Sequence, residues 1–122
     1  MDISEKQWHE MVDRAFESLP DPHRSAVQNV AIVLQDFPSE EERQRVGLHT
    51  HQTLLGLYSG VPLPQRQGRT DVFPPDIITL YKQPLLAESS TEDELYENIR
   101  HTLWHEVAHY FGLDHKQIHD LE

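Results

Sequence analysis

The chain has 122 residues, 37% hydrophobic and 25% charged, enough for one hydrophobic core and too few for two. Acidic residues outnumber basic ones 21 to 10, a formal net charge of −11 with no cluster of Lys or Arg, which disfavours a nucleic-acid partner. The absence of cysteine excludes disulfides, thiolate metal sites and a Cys nucleophile, so any metal must be held by His and carboxylates.

The N-terminal stretch MDISEKQWHE lacks the basic, apolar and small-residue order of a secretion signal. No apolar run approaches the roughly 20 residues that cross a bilayer. A single cytoplasmic domain over residues 1–122, with no membrane contact, is therefore expected. Ser4 and Gln7 form a capping-box pattern, after which Trp8, Met11, Val12, Ala15, Phe16 and Leu19 recur at helical spacing until Pro20 and Pro22. Val30 to Leu34 (VAIVL) reads as a strand covered on both faces. Ser39 to Arg45 is a brief helix or a loop, with its glutamates facing solvent. Leu54 to Tyr58 (LLGLY) reads as a second strand in which Gly56 permits a bulge or a close approach. Ser59 to Pro75, rich in Pro and Gly, reads as a surface loop. Ile77 to Lys82 (IITLYK) reads as a third strand, and Pro84 suggests that it continues along a sheet edge.

The last helix is the clearest element. Ser89, Ser90 and Thr91 offer N-caps, acidic residues fill the first turn, and Gly112 ends a pattern running to Phe111. At about 100° per residue, Tyr96, Ile99, Leu103, Val107 and Phe111 share one arc, widened by Trp104 and Ala108. His101, His105 and His109 lie opposite, with Glu106 at the border and Tyr110 turned toward the core.

Histidines at i and i+4 can reach one metal ion, so His105 and His109 are candidate ligands. His115 would point away in a continuous helix, and becomes the third ligand only if the chain turns back after Gly112. Glu106, beside the first ligand, is placed to act as general base on a water held by one Zn²⁺ ion. A chain of this composition would assemble the pattern by chance on the order of two times in ten thousand, which favours a site over a wet helix face. His101 reads as a solvated neighbour, His119 as an exposed residue, and His49 and His51 as structural. Asp114 either orients a ligand histidine or caps the turn.

The stretch HEVAHYFGLDH (105–115) matches the zinc consensus HExxHxxGxxH and is similar there to metzincins, although Met1 and Met11 both lie upstream and only seven residues follow His115. A wider resemblance, over VAIVLQDFP, LLGLYSGVPL, IITLYKQPLL and TLWHEVAHYFGLDH, is to the small bacterial zincin-like metallopeptidases, many of which carry Asp where this chain has His115. That resemblance implies an α+β minimal zincin-like fold: a small mixed sheet of about three strands, packed on an N-terminal helix and a C-terminal metal-site helix. It also implies zinc-dependent peptide hydrolysis, with His105, His109 and His115 as ligands and Glu106 as base. A peptide or polypeptide substrate would add as a strand at a sheet edge, from either IITLYK or LLGLY. His105, His109, Gly112, Asp114 and His115 also resemble the HxxxHxxGxDH motif of bacterial endoribonucleases that mature ribosomal RNA. Glu106 and the acidic charge speak against that reading. A metal-stabilised binding module without turnover is the third reading.

Overall fold

The computed structural model describes residues 2–21, 24, 27, 30–47, 54–66, 76–113 and 116. Helix α1 spans Glu5–Glu17, and its capping box forms as the sequence indicates: Gln7 N donates to Ser4 Oγ (3.1 Å), and Ser4 N to Gln7 Oε1 (3.0 Å). Strand β1 (Val30–Gln35) follows, then a short helix α2 (Glu40–Arg45), strand β2 (Gly56–Ser59) and a 3₁₀ turn at Leu63–Arg66. Strand β3 (Asp76–Tyr81) runs directly into helix α3 (Lys82–Ala87), and the chain's longest helix, α4, covers Glu92–Phe111.

The three strands form one mixed sheet in the order β1-β3-β2, with β1 parallel to β3 and β2 antiparallel to it. Side chains alternate across a sheet, so Ile32, Leu34, Ile78 and Leu80 turn to one face. There they join a core with Trp8, Val12 and Ala15 of α1 and Leu95, Ile99, Leu103, Trp104 and Val107 of α4. The fold is α+β, with a terminal helix at each end of the sequence packed on that face.

Two strand assignments need correction. The IITLYK segment is the central strand, not an edge, because β1 and β2 occupy its two sides. Pro84 belongs to the first turn of α3, where a missing N–H removes no helical hydrogen bond. Strand β1 is an edge strand covered on one face only: Val30, Ile32 and Leu34 pack inward, whereas Ala31 is exposed and Val33 is 37% exposed. Its unbroken apolar run reflects a small β-branched stretch, not burial on both sides.

The segment at 39–45 resolves as a helix with its own capping box between Ser39 and Glu42. Of its glutamates, Glu42 is only half exposed and turns inward to accept the Tyr81 hydroxyl at 2.7 Å, which ties α2 to the end of β3. Burial, with the Glu42 carboxylate beside it, pushes the Tyr81 hydroxyl well above the ordinary tyrosine range, so the phenol stays a donor. Gly56 serves a close approach: a Cβ there would lie 2.7 Å from Thr102 Cγ2, so β2 can sit directly on α4. Among the described residues, no helix is long and apolar enough to cross a membrane.

Candidate metal and catalytic site

Helix α4 starts at Thr91, whose hydroxyl accepts from Glu94 N at 3.1 Å, with Glu92, Asp93 and Glu94 at the positive end of the helix dipole. Its buried stripe includes Leu95, Ile99, Leu103, Trp104, Val107 and Ala108. That anchoring fixes the rotation of the helix and so aims the remaining face. The helix stops in a Schellman turn: Gly112 adopts φ 72°, its N–H reaches His109 O at 3.0 Å, and Leu113 N reaches Ala108 O at 3.0 Å. Pro64 of the 3₁₀ turn packs so tightly on Gly112 that a Cβ there would lie 2.6 Å from Pro64 Cγ. Glycine is thus required both for the left-handed backbone and for the space above it.

On the aimed face, His105, Glu106 and His109 each offer a ligand atom, all within 4.8 Å of one another. The two imidazoles stack edge to face with centroids 4.6 Å apart and remain partly accessible. Glu106 is different. It is only 6% exposed, and its Oε1 accepts twice: from Tyr58 N of β2 at 2.9 Å and from His109 Nδ1 at 3.2 Å. With Nδ1–H directed at the carboxylate, the lone pair of His109 is on Nε2, the nitrogen left to bind a metal. Both of these bonds fall on Oε1. Imidazole and carboxylate donors with no thiolate suit a borderline divalent cation such as zinc. Beside His109 a cleft of about 360 Å³ opens between Tyr58, Pro62, Pro64, Gln65 and Leu113.

A family model described as zincin-like metallopeptidase matches residues 27–122. The chain belongs to this zincin-like family. The match takes in every strand among the described residues and the whole of α4, and begins after α1. Among solved structures, the chain is similar to a conserved hypothetical protein from Thermus thermophilus. The TM-score is 0.57 at 19% identity, over 89% of this chain and 94% of that one, a likeness of fold. No curated protein matches the chain.

For this zincin-like chain, the structure brings together three of the four site residues read from the sequence: His105, Glu106 and His109. His115 lies outside the described residues, as do Asp114, His119, His49 and His51. The helix does stop at Gly112 in a left-handed turn, and the path beyond Leu113 lies outside the described residues. His101, one turn before His105, is exposed. Two further residues beside the site carry no mark in the sequence. Tyr58 reads only as the end of a strand, and Asp76 falls between the long loop and the third strand. Yet Tyr58 touches Glu106 through its backbone, and Asp76 accepts the Tyr58 hydroxyl at 2.6 Å. No local pattern reveals this pairing, because it depends on which strand lies next to α4.

The hydrogen bond that His109 donates to the Glu106 carboxylate holds its imidazole above the ordinary histidine value, against the opposing effect of burial. In the metal-free protein the Glu106–His109 pair therefore stabilises the fold fully below the ordinary histidine pKa of about 6.5, and loses that contribution as pH rises through the raised value. Zinc runs the other way, since it competes with the proton for His109. Zinc titrations between about pH 5.5 and 8.5 are expected to show affinity falling on acidification, with the fall already under way above about pH 6.5. Affinity that stays constant across this range would count against imidazole ligation.

Proposed function

We propose that the chain is a zinc-dependent peptidase in which His105, His109 and His115 hold one zinc ion and Glu106 is the general base. The observation that carries this reading is the buried Glu106 carboxylate, grouped with His105 and His109 on one helix and bonded to the outer edge of β2, with His109 lining the adjoining cleft. A bound zinc ion supplies Lewis acidity, which makes water a nucleophile near neutral pH and polarises a carbonyl.

The chain's own residues do the rest. Glu106, held by its Oε1, takes a proton from the attacking water at Oε2 as the new C–O bond forms. It returns that proton to the departing amine nitrogen as the C–N bond breaks, which keeps the leaving group neutral. Family membership supports hydrolysis of peptide bonds over RNA cleavage, and so does the net charge of −11, which repels a phosphate backbone.

The substrate strand belongs at β2. Leu55 O accepts from Tyr81 N on the β3 side, whereas Tyr58 N turns away from β3 to Glu106. In an antiparallel pair alternate residues face opposite edges, so Gly56 and Tyr58 direct their backbone groups to the side where α4 carries the site. An extended peptide lying along that edge would pass over His105 and His109.

The test is to incubate zinc-loaded protein with unfolded polypeptide and, separately, with single-stranded RNA, each with and without a chelator. Chelator-sensitive cleavage of polypeptide alone is the expected outcome. Cleavage of RNA instead would overturn the peptidase reading, and no cleavage of either would leave a metal-stabilised binding module in its place.

A further inference from the structure

Tyr58 is held at three points that all bear on Glu106. Its N–H donates to Glu106 Oε1 at 2.9 Å. Its ring meets Tyr110, the residue after His109, edge to face at 6.3 Å and 73°. Its hydroxyl donates to Asp76 Oδ1 at 2.6 Å. Asp76 is a carboxylate only 5% exposed, at the first position of β3 and across the sheet from the turn that follows β2.

A buried carboxylate is costly unless its oxygens are engaged, and the chain makes specific room for this one. Gly60 has φ 152°, a conformation rarely adopted by residues with side chains. A Cβ at Gly60 would collide with Asp76 Oδ1 and stand 2.8 Å from the Tyr58 hydroxyl. The space for the phenol–carboxylate bond therefore exists only because position 60 lacks a side chain.

We propose that Asp76 and Tyr58 are positioning residues for Glu106. Asp76 fixes the Tyr58 phenol, the phenol fixes the backbone of β2 at Tyr58, and the Tyr58 N–H holds Oε1 so that Oε2 is presented to the reacting water. This rests on the reading of Glu106 as general base. It adds a reason why the base is aimed, since a carboxylate free to rotate would present either oxygen, or neither, at the reacting distance.

Four variants test it: Tyr58→Phe, Asp76→Ala, Asp76→Asn and Glu106→Ala. Tyr58→Phe keeps the ring against Tyr110 and removes only the donor, and Asp76→Asn keeps an acceptor where Asp76→Ala does not. Hydrogen exchange at the Tyr58 amide is read in each, alongside kcat, KM and zinc affinity. The expected result is a Tyr58 amide protected in the native chain and deprotected in Glu106→Ala. Its exchange should also quicken about tenfold or more in Tyr58→Phe and Asp76→Ala, with the Leu80 amide of β3 unchanged. In those two variants kcat falls about tenfold or more, while KM and zinc affinity stay within about twofold. Asp76→Asn restores both exchange protection and kcat.

Unchanged exchange and kcat in Tyr58→Phe and Asp76→Ala would overturn the proposal. So would loss of protection spread equally over β2 and β3, which marks a merely structural bond. If the native chain cleaves no peptide, the peptidase reading fails by itself, and the Tyr58 amide still decides whether Asp76 and Tyr58 hold Glu106.

Discussion

Replacing Glu106 with glutamine is expected to lower peptide hydrolysis by about 10²- to 10⁴-fold, the usual contribution of a positioned general base, while zinc content stays at the native level. Glutamine preserves the shape of the side chain, and its carbonyl oxygen can still accept from Tyr58 N and His109 Nδ1, the two donors now bonded to Oε1. What it cannot do is take a proton at the second position, where Oε2 is replaced by an amide. The separation is the diagnostic point: a metal ligand lost would remove zinc and rate together, whereas a base lost removes rate alone. Kinetics on an unfolded polypeptide, paired with elemental analysis of the same sample, provide the check. Glutamine activity within about threefold of the native chain would remove Glu106 from the chemistry.

The second large effect is on the fold. Trp104→Ala is expected to destabilise the protein by about 3–5 kcal/mol, the range for truncating a buried aromatic side chain. Trp104 is 2% exposed and belongs to the same cluster as Trp8, Leu103 and Val107, where α1 and α4 meet the sheet. It also immediately precedes His105, so the packing that stabilises the fold also sets the rotation of the helix carrying the site. Total stability for a domain of this size is about 5–15 kcal/mol, so the loss would take up a large share of it and shift a urea midpoint well outside error. A shift equivalent to less than about 1 kcal/mol would mean that the site helix is held by something other than this core.

What can be read from the sequence, and what cannot, follows from the range of the interactions involved. Helix starts are local chemistry, so the Ser4–Gln7 box and the caps before α4 are legible residue by residue, and both form. The metal-site stretch is legible for the same reason. His105, Glu106 and His109 share a helix, and four-residue spacing alone brings their donors together. Gly112 is legible as the end of that helix because a left-handed backbone has few alternatives to glycine. Sheet order is a different matter. Nothing local in IITLYK distinguishes a central strand from an edge, and Pro84 misleads because a proline in the first turn of a helix looks the same in sequence as one at a sheet margin. The contacts of Glu106 with Tyr58, and of Tyr58 with Asp76, span 48 and 18 residues and exist only once β2 has taken its place beside α4.

The surroundings of Glu106 show why this matters for function. From the helix projection alone it stands at the border between the core and the histidine face. In the folded chain it is buried, and the outer edge of β2 supplies one of its hydrogen bonds. Sequence thus identifies the residue type and the helix, while the sheet determines which carboxylate oxygen of Glu106 is bonded to β2.

Metal binding is the premise on which the role proposed for Glu106 depends. Zinc titrated calorimetrically into metal-free protein near neutral pH, with the His105→Ala variant alongside, measures it most directly. The expected result is one zinc ion per native chain and loss of that binding event in the variant. A native chain that takes up no stoichiometric zinc, or a variant that binds it as tightly as the native chain, would contradict a metal site built on His105.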